Sequence, residues 1–478
     1  MTNFMIYDIV LLIIFVLIVS VFLFRKRKNL KREGMLLLYR TVHGISAINK
    51  IGNKYKKTLK VLGYVSITLG YILMGSIIYL FGKIIWIYIF QPNVVRAIKV
   101  PPITPLIPYL PQIFNLNLPP FYFTYWIIII AVVAVIHEFS HGIFAAYSKV
   151  KIKKTGFGFF PFFFPVFLAA FVELDEKNME KKKKINQLAI LSAGTFANVL
   201  TAVFFFFVLW GFFSLSFAPA GVTFDTYSYT LQNISAISSV NGISVNSPSY
   251  ADISKLTNGT TGLDKVNIGN QTFFITNDFL QSQQNVKNYI LLYDDSPAIK
   301  ANLTGAITEI GGSKILSTAQ LASQLMKYKP GDSIVIETKT SDNAIHDYNI
   351  VLGQNPENKN IPYLGIGFNL VQTTGLSGAI NSVVNFMKQP NVYYEARYNA
   401  AEFIYDLLWW LVLICVSVAL VNMLPMGIFD GGRFFMLTVW GITKNRKIAE
   451  KAFKFVTFLF IFLVIALMVF WAIGVFGK

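Results

Sequence analysis

The chain is poor in cysteine, histidine and charged residues. Its 478 residues include one cysteine, Cys415, so no disulfide can form within the chain and an external domain would be held together by packing alone. Charged residues make up only 14% of the sequence and hydrophobic residues 54%, a balance that is typical of a membrane protein and not of a soluble enzyme. Because only four histidines are present, the position of each is informative.

Acidic residues are scarce as well, with 24 Asp and Glu against 42 Lys and Arg, which gives a formal net charge of +18. Such a charge would suit a nucleic-acid partner if it covered one surface. The basic residues instead fall into short blocks beside hydrophobic runs, a pattern that orients helices in a lipid bilayer. We therefore predict no nucleic-acid partner.

Six hydrophobic segments are long enough to cross a hydrocarbon core of about 30 Å as helices that rise about 1.5 Å per residue. They predict an α-helical, multi-pass integral protein of the cell membrane. The segments are residues 5–24, 61–90, 121–147, 186–213, 403–427 and 454–476.

The charge of the connecting loops predicts the orientation of these helices. Residues 25–60 hold twelve Lys or Arg against one acidic residue, residues 149–184 hold nine against four, and residues 444–454 hold five against one. Because positively charged loops stay in the cytoplasm, these three loops are predicted to be cytoplasmic and the long 214–402 region extracytoplasmic. The 25–60 loop carries no motif, so we expect a solvated linker there.

The region from 220 to 370 has the short β-rich runs and the Gly, Asn and Ser turns of a soluble β-rich domain. Within it, residues 295–339 resemble a PDZ domain: an SPA start, a strand, a GGSKI turn, a helix, and a KPGD turn into another strand. Residues 234–247 echo this pattern, as a second degenerate copy or as part of one interrupted domain. We interpret them as one elaborated PDZ-like domain. A structural ectodomain without a ligand is the alternative.

The sequence AVIHEFSHGIFAA, residues 134–146, places two of the four histidines in an otherwise apolar run. On a helix His137 and His141 share one face, and Glu138 lies beside it. Neutral imidazoles hold Zn²⁺ while leaving a position open for water, and a carboxylate can take the proton of that water. Burying a charged group in a bilayer costs on the order of 2 to 3 kcal/mol, so hydrogen bonding alone explains these residues poorly. The pattern predicts a catalytic zinc site.

A mononuclear zinc site needs a third protein ligand. The sequence NMLPMGIFDGGRFF, residues 422–435, supplies Asp430 at the predicted cytoplasmic end of the fifth segment, towards the same leaflet as His137. Pro425 and Gly427 would interrupt the helix and let the chain turn Asp430 towards the metal. Taken alone, Asp430 is equally well explained as an acid in a polar turn at a helix end.

With both motifs in place, the chain resembles the site-2 protease family of intramembrane zinc metalloproteases. The HExxH motif in one helix, N-x-x-P-x-x-x-x-D-G in a later one and a PDZ-like domain between them match that family in kind and order. The resemblance implies that His137, His141 and Asp430 bind one Zn²⁺ per chain. It also implies that Glu138 is the general base and proton donor in regulated intramembrane proteolysis of a transmembrane protein substrate. Phe429 replaces the family's usual Leu before the Asp and leaves the ligand in place.

Two further segments gain a function from the resemblance. Residues 156–173 are apolar but hold two glycines and two prolines, so they predict a re-entrant β-hairpin whose strand edge pairs with the substrate, with a Phe-rich interfacial anchor as the alternative. Gly194 and Asn198 match the family's G-x-x-x-N motif, in which the glycine allows close helix contact. Asn198 and Asn422 are candidate substrate-binding amides, Asn198 also for the developing oxyanion. A hydrogen bond between helices or at a helix end is the alternative for each.

These assignments divide the chain into five regions, with the active site towards the cytoplasmic leaflet. They are an N-terminal two-helix membrane region with a basic cytoplasmic loop (1–120), a first part of the catalytic membrane core (121–213), the extracytoplasmic PDZ-like domain (220–370), an interfacial linker (371–402) and a second part of the catalytic membrane core (403–478).

Three other functions stay open from the sequence. A prenyl-protein type zinc protease also embeds HExxH in helices, but that family uses a later Glu as third ligand, and no acid fits that role as well as Asp430. A non-catalytic metal-binding scaffold or receptor that displays the external domain would not need Glu138. A metal transporter would need more intramembrane acids or histidines than the other helices offer. No pattern predicts the oligomeric state.

Overall fold

The computed structural model divides the chain into two compact units, residues 1–212 with 402–478 and residues 213–401. Among the residues that the structure describes, six helices are long and apolar enough to cross a membrane, which confirms the six predicted segments. The fifth ends at Asn422 and not at residue 427, and the sixth begins at Arg446 and not at residue 454. The structure describes residues 2–33, 36–91, 95, 101, 106–114, 116, 118–159, 168–257, 262–283, 288–340, 342–368 and 375–476.

Helices form most of the first unit and connect the strands of the second. In chain order they are α1 (Thr2–Arg25), α2 (Ile45–Lys54), α3 (Lys56–Phe90), α4 (Leu110–Ile113), α5 (Phe123–Tyr147), α6 (Glu176–Glu180), α7 (Lys184–Ser216), α8 (Tyr250–Leu256), α9 (Asn277–Gln281), α10 (Pro297–Lys300), α11 (Thr318–Leu325), α12 (Gly375–Met387), α13 (Ala401–Asn422), α14 (Asp430–Thr443) and α15 (Arg446–Phe476).

Strands form one sheet in the first unit and most of the second unit. In chain order they are β1 (Leu30–Glu33), β2 (Leu36–Thr41), β3 (Ile152–Phe159), β4 (Leu168–Leu174), β5 (Phe217–Val222), β6 (Thr226–Tyr227), β7 (Tyr229–Asn233), β8 (Ser239–Val240), β9 (Ile243–Ser244), β10 (Leu263–Ile268), β11 (Gln271–Thr276), β12 (Tyr289–Asp294), β13 (Ala306–Ile310), β14 (Ser313–Lys314), β15 (Ser333–Lys339), β16 (Ile345–Val351), β17 (Gly353–Gln354), β18 (Pro362–Tyr363), β19 (Ile366–Gly367) and β20 (Val392–Ala396).

A β-hairpin lies where the sequence predicts one. β3 and β4 pair antiparallel, from Ile152 opposite Leu174 to Phe159 opposite Leu168. Alternating glycines in β3 leave room for neighbouring strands, since a Cβ on Gly156 would collide with the backbone of β2. The two prolines of the predicted turn, in 160–167, lie outside the described residues.

The expectation of a solvated linker at residues 25–60 is wrong. Residues 30–41 form β1 and β2, which extend the hairpin into a four-stranded sheet of order β1-β2-β3-β4. α2 packs on α5, where the fully buried Ile48 lies against Gly142 and where Gly52 contacts Ala146. α2 has a short apolar face among polar residues, so its average composition does not indicate that it packs on the HEFSH helix.

The N-terminus of α5 is held by a carboxylate from α1. Asp8, which is buried, accepts hydrogen bonds at Oδ2 from the Phe123 N–H and the Tyr109 hydroxyl, and at Oδ1 from the N–H and hydroxyl of Thr124. The N–H groups at the start of a helix have no partner within the helix, and negative charge is favourable there. The N-terminal helix therefore fixes one end of the HEFSH helix.

We expect Asp8→Asn to lower the thermal unfolding midpoint of the full chain in detergent. The amide keeps the shape of the side chain but turns an NH₂ towards donors that the carboxylate satisfied, at a cost of about 1–3 kcal/mol. Thr124→Val removes only one of the four donors and should lower the midpoint less. A midpoint of Asp8→Asn equal to that of wild type would show that this carboxylate does not stabilise the unit.

The two six-stranded sheets of the second unit share a four-stranded pattern of connections. In the first, β8 pairs with β9 and β10, β10 pairs with β11, and α8 connects β9 to β10. In the second, β13 pairs with β14 and β15, β15 pairs with β16, and α11 connects β14 to β15. Each sheet has its own buried apolar cluster, around Val266 and Ile275 in one and Ile307 and Ile336 in the other. Both sheets lie within one compact unit, residues 213–401, and the PDZ-like character of this domain stays a prediction.

The segment predicted as an interfacial linker, residues 371–402, is partly built into the second unit. Its residues 375–387 form α12, and β20 pairs antiparallel with β5 from Val392 opposite Val222 to Ala396 opposite Phe217. Strands near the first and the last residues of the second unit are thus paired with each other.

Candidate metal centre

α5 positions the two histidines of HEFSH on one buried face. His137 and His141 are one helical turn apart, their ring centroids lie 4.7 Å apart, and their Nε2 atoms lie 3.0 Å apart. Both side chains are about nine-tenths buried. The helix therefore points two imidazole nitrogens at one position, as the i, i+4 spacing predicts.

Asp430 comes to the same position from the start of α14. Its Oδ2 lies 3.3 Å from Nε2 of His137 and 3.1 Å from Nε2 of His141. The helix break at 422–430 that Pro425 predicts is present. It is tight, because a Cβ on Gly431 would lie 2.4 Å from the carbonyl oxygen of Met423, so the chain folds back on itself to deliver Asp430.

The charge environment of Asp430 is set by opposing effects. Burial alone would raise the pKa of the Asp430 carboxyl, but the neighbouring imidazoles His141 and His137 more than offset burial and hold that pKa well below its usual range. The carboxylate form is the one that binds a cation.

A hydrogen bond to the outer ring nitrogen orients each histidine. Nδ1 of His141 lies 2.6 Å from the carbonyl oxygen of Ile190 in α7, and since a carbonyl only accepts, this nitrogen carries a proton, and the neutral form of the ring has its lone pair on Nε2. Nδ1 of His137 lies 3.1 Å from the side-chain nitrogen of Asn198, also in α7. Asn198 is fully buried behind His137, so the structure does not place this amide where a substrate could reach it.

Gly194 leaves room for both imidazoles. A Cβ at this position of α7 would lie 2.4 Å from Nε2 of His141 and 2.6 Å from Nε2 of His137. Small residues were predicted to allow close helix contact, and here the close contact is with the two histidines.

Glu138 lies beside the cluster and against the hairpin. Its Oε2 accepts a hydrogen bond of 2.9 Å from the N–H of Val172 in β4. β4 is the last strand of its sheet within the described ranges, so this N–H points away from β3. The backbone groups of Ala170, two residues earlier, point the same way. The sequence does not predict the contacts of Val172 and Ile190, because both act through backbone groups, which every residue type except proline has in full.

Two kinds of cavity meet at the cluster. A polar one of about 560 Å³ is lined by Glu138, His141 and Asp430, and it extends to Arg433 and Glu176, whose side chains form a 3.0 Å ion pair. An apolar one of about 380 Å³ reaches the cluster from another side and is lined by His137, Glu138, Ala170, Asn422 and Asp430. Of the two candidate amides, Asn422 therefore lines one of these two cavities, and Asn198 lines neither.

The apolar cavity continues along α13. A neighbouring cavity of about 490 Å³ shares Leu106, Ile414, Val418, Asn422 and Phe429 with it. Together they follow one face of α13, opposite Leu106, Pro111 and Phe121, and the Trp410 indole of α13 donates a hydrogen bond to the carbonyl of Pro120. The cluster thus lies at one end of an apolar trench.

The three side chains fit one metal ion. Ligand atoms of His137, His141 and Asp430 all lie within 4.8 Å of one another. Two imidazoles and one carboxylate are a known ligand set of catalytic zinc, and three protein ligands leave a position open. In the structure the same three atoms contact one another directly, with Oδ2 of Asp430 and Nε2 of His137 both about 3 Å from Nε2 of His141, so one cation can replace these contacts.

The chain matches a known protein family over most of its length. The model of the family described as Peptidase family M50 matches residues 125–467, a span that starts in α5 and ends in α15. The span includes both motifs and the whole of the second unit. No curated protein matches the chain.

Proposed function

Since the chain belongs to peptidase family M50, the family of the site-2 proteases, we propose that it is an intramembrane zinc metalloprotease that hydrolyses peptide bonds within transmembrane substrate segments. The family is one of membrane-embedded, zinc-dependent metalloproteases, and the six apolar helices agree with a multi-pass membrane protein. The observation that carries the proposal for this chain is the convergence of His137, His141 and Asp430 beside Glu138.

In this proposal His137, His141 and Asp430 hold one zinc ion. The ion, when bound, supplies a Lewis acid that polarises a carbonyl and makes water more acidic. Glu138 takes the proton of the attacking water and returns it to the leaving amine. The Val172 N–H bond to Oε2 orients the carboxylate and leaves Oε1 to exchange the proton.

The substrate would lie in the apolar trench and against β4. The outward backbone groups of Ala170 line the cavity that holds His137 and Glu138, so an unwound substrate can pair there as an added strand. Asn422 supports this position, because it lines the same cavity and its amide would hydrogen-bond the substrate backbone. The apolar wall formed by Ile414 and Val418 suits the side chains of a transmembrane segment.

Water would arrive by the polar cavity. It connects Glu138 and Asp430 with Lys153 of the 149–184 loop, which the Lys/Arg excess assigns to the cytoplasm, and with Arg433 of α14, which forms an ion pair with Glu176 of that loop. This supports a site that opens towards the cytoplasmic leaflet, with the second unit on the extracytoplasmic side. There its two sheets would act as PDZ-like modules that select substrates already trimmed outside the membrane.

The test uses the purified full chain in liposomes with a tagged reporter that has one transmembrane segment. We expect cleavage within that segment, with loss of cleavage after zinc is removed by a chelator and recovery on addition of zinc. Mass spectrometry of the products locates the cut. Cleavage that survives complete zinc removal, or cleavage only outside the apolar segment, would contradict the proposal.

A further inference from the structure

Asn198 has one side-chain atom bonded to a zinc-ligand candidate and the other unpaired. Its Nδ2 lies 3.1 Å from Nδ1 of His137, whereas its Oδ1 is buried and has no hydrogen-bond partner in the part of the chain that the structure describes. The residue is fully buried, and it lies one turn from Gly194 on the helix that packs against both imidazoles. A buried amide oxygen without a partner costs stability and calls for an explanation.

The tautomer of His137 decides which atom of this amide can bond to the imidazole. A neutral imidazole that binds a cation through Nε2 carries its proton on Nδ1, and that proton needs an acceptor. An amide nitrogen only donates, so the contact seen here suits the tautomer in which Nε2 carries the proton and faces Asp430. A half-turn of the planar amide exchanges its oxygen and nitrogen in nearly the same space.

The two histidines are therefore held by different kinds of partner. The Ile190 carbonyl can only accept, so it keeps a proton on Nδ1 of His141 whether or not a metal is bound, and Nε2 is the nitrogen that can bind the metal. Asn198 can donate to Nδ1 of His137 when the proton is on Nε2, and it can accept from Nδ1 when the proton is there. A side chain that serves both states allows His137 to exchange its proton between Nε2 and Nδ1 without moving the ring.

We propose that Asn198 is a positioning residue for the zinc ligand His137, and that its Oδ1 accepts the Nδ1 proton when the metal is bound. The inference rests on the metal site of the proposed function but not on peptide hydrolysis. It replaces a contact with substrate or oxyanion, because the Asn198 amide lies behind the imidazole and not in either cavity. Partners of this kind contribute to metal affinity as well as to activity.

The experiment measures zinc affinity of the full chain in detergent by competition with a chelator, for wild type, Asn198→Leu and Asn198→Asp. We expect Asn198→Leu to bind zinc about 10- to 100-fold more weakly, because an apolar side chain of similar size cannot accept the proton. Asn198→Asp keeps an acceptor and should bind zinc within a few-fold of wild type. Thr201→Val, a buried polar change one turn further along α7, controls for general loss of polarity and should leave zinc affinity unchanged.

The outcomes separate this role from the alternatives. Wild-type zinc affinity in Asn198→Leu together with lost cleavage would overturn the proposal in favour of a substrate contact. If Asn198→Leu fails to fold, the aspartate variant decides, since zinc binding more than 10-fold weaker than wild type in a folded Asn198→Asp would also overturn it. Zinc binding by wild type without cleavage would refute the proposed function and leave the role of Asn198 standing.

Discussion

Gly194→Ala is expected to lose zinc binding and peptide cleavage together. The added methyl would lie 2.4 Å from Nε2 of His141 and 2.6 Å from Nε2 of His137, so both ligand atoms must move. A displacement on the order of 1 Å at a reacting centre costs about 100-fold in rate, and here the metal ligands themselves are displaced. We expect cleavage to fall at least about 100-fold in the liposome assay, with less than one zinc per chain.

Gly211→Ala is the matched control for this change. It lies on the same helix, and a Cβ there meets no atom within 4 Å in the described structure. Alanine is favoured over glycine in a helix by about 1 kcal/mol, so this variant should keep full zinc content, full cleavage and an equal or higher unfolding midpoint. If Gly194→Ala behaved like Gly211→Ala, the placement of α7 against the imidazoles would be wrong.

Glu138→Gln is expected to abolish cleavage while zinc stays bound. The amide keeps the size of the side chain, and its oxygen can still accept from the Val172 N–H, so the local structure should persist. What it lacks is the ability to take a proton from water, and loss of a general base costs about 10²- to 10⁴-fold in rate. Rates in liposomes and zinc content of the same preparation provide the measurement.

Two results would argue against this role of Glu138. Unchanged cleavage by Glu138→Gln would remove the general base from the account and favour a metal-binding scaffold as the function. Loss of zinc in this variant would instead make Glu138 a ligand, in conflict with its bond to β4. Asn422→Ala is a useful comparison, because a substrate-binding amide should change cleavage without changing zinc content.

The metal cluster was predictable because its residue types are rare in apolar sequence. Two histidines four residues apart share a face on any helix, and a break after Pro425 is the simplest way to return Asp430 to them. The structure brings these three side chains together. The same reasoning does not find Ile190 or Val172, since they act through backbone groups.

The 25–60 loop, Asp8 and the sheets of the second unit depend on packing contacts that amino-acid composition does not predict. The basic 25–60 loop is hydrophilic on average, yet Ile48 and Gly52 form a face that fits α5. Asp8 is a single acid in an apolar helix, and its partners, Phe123 and Thr124, are more than a hundred residues away. The two six-stranded sheets of the second unit share a four-stranded pattern, but the apolar residues that fill their cores differ. Different apolar residues can fill similar cores, so sequence similarity shows this pattern only in part.

The central claim is that His137, His141 and Asp430 hold one zinc ion. Its most direct test is the zinc content of the purified full chain in detergent, measured by mass spectrometry of the metal for wild type, Asp430→Ala and the exposed-site control Asp278→Ala. The account predicts one zinc per chain in wild type and Asp278→Ala, and little or none in Asp430→Ala. A full zinc equivalent in Asp430→Ala would contradict it, because the third ligand would then lie elsewhere.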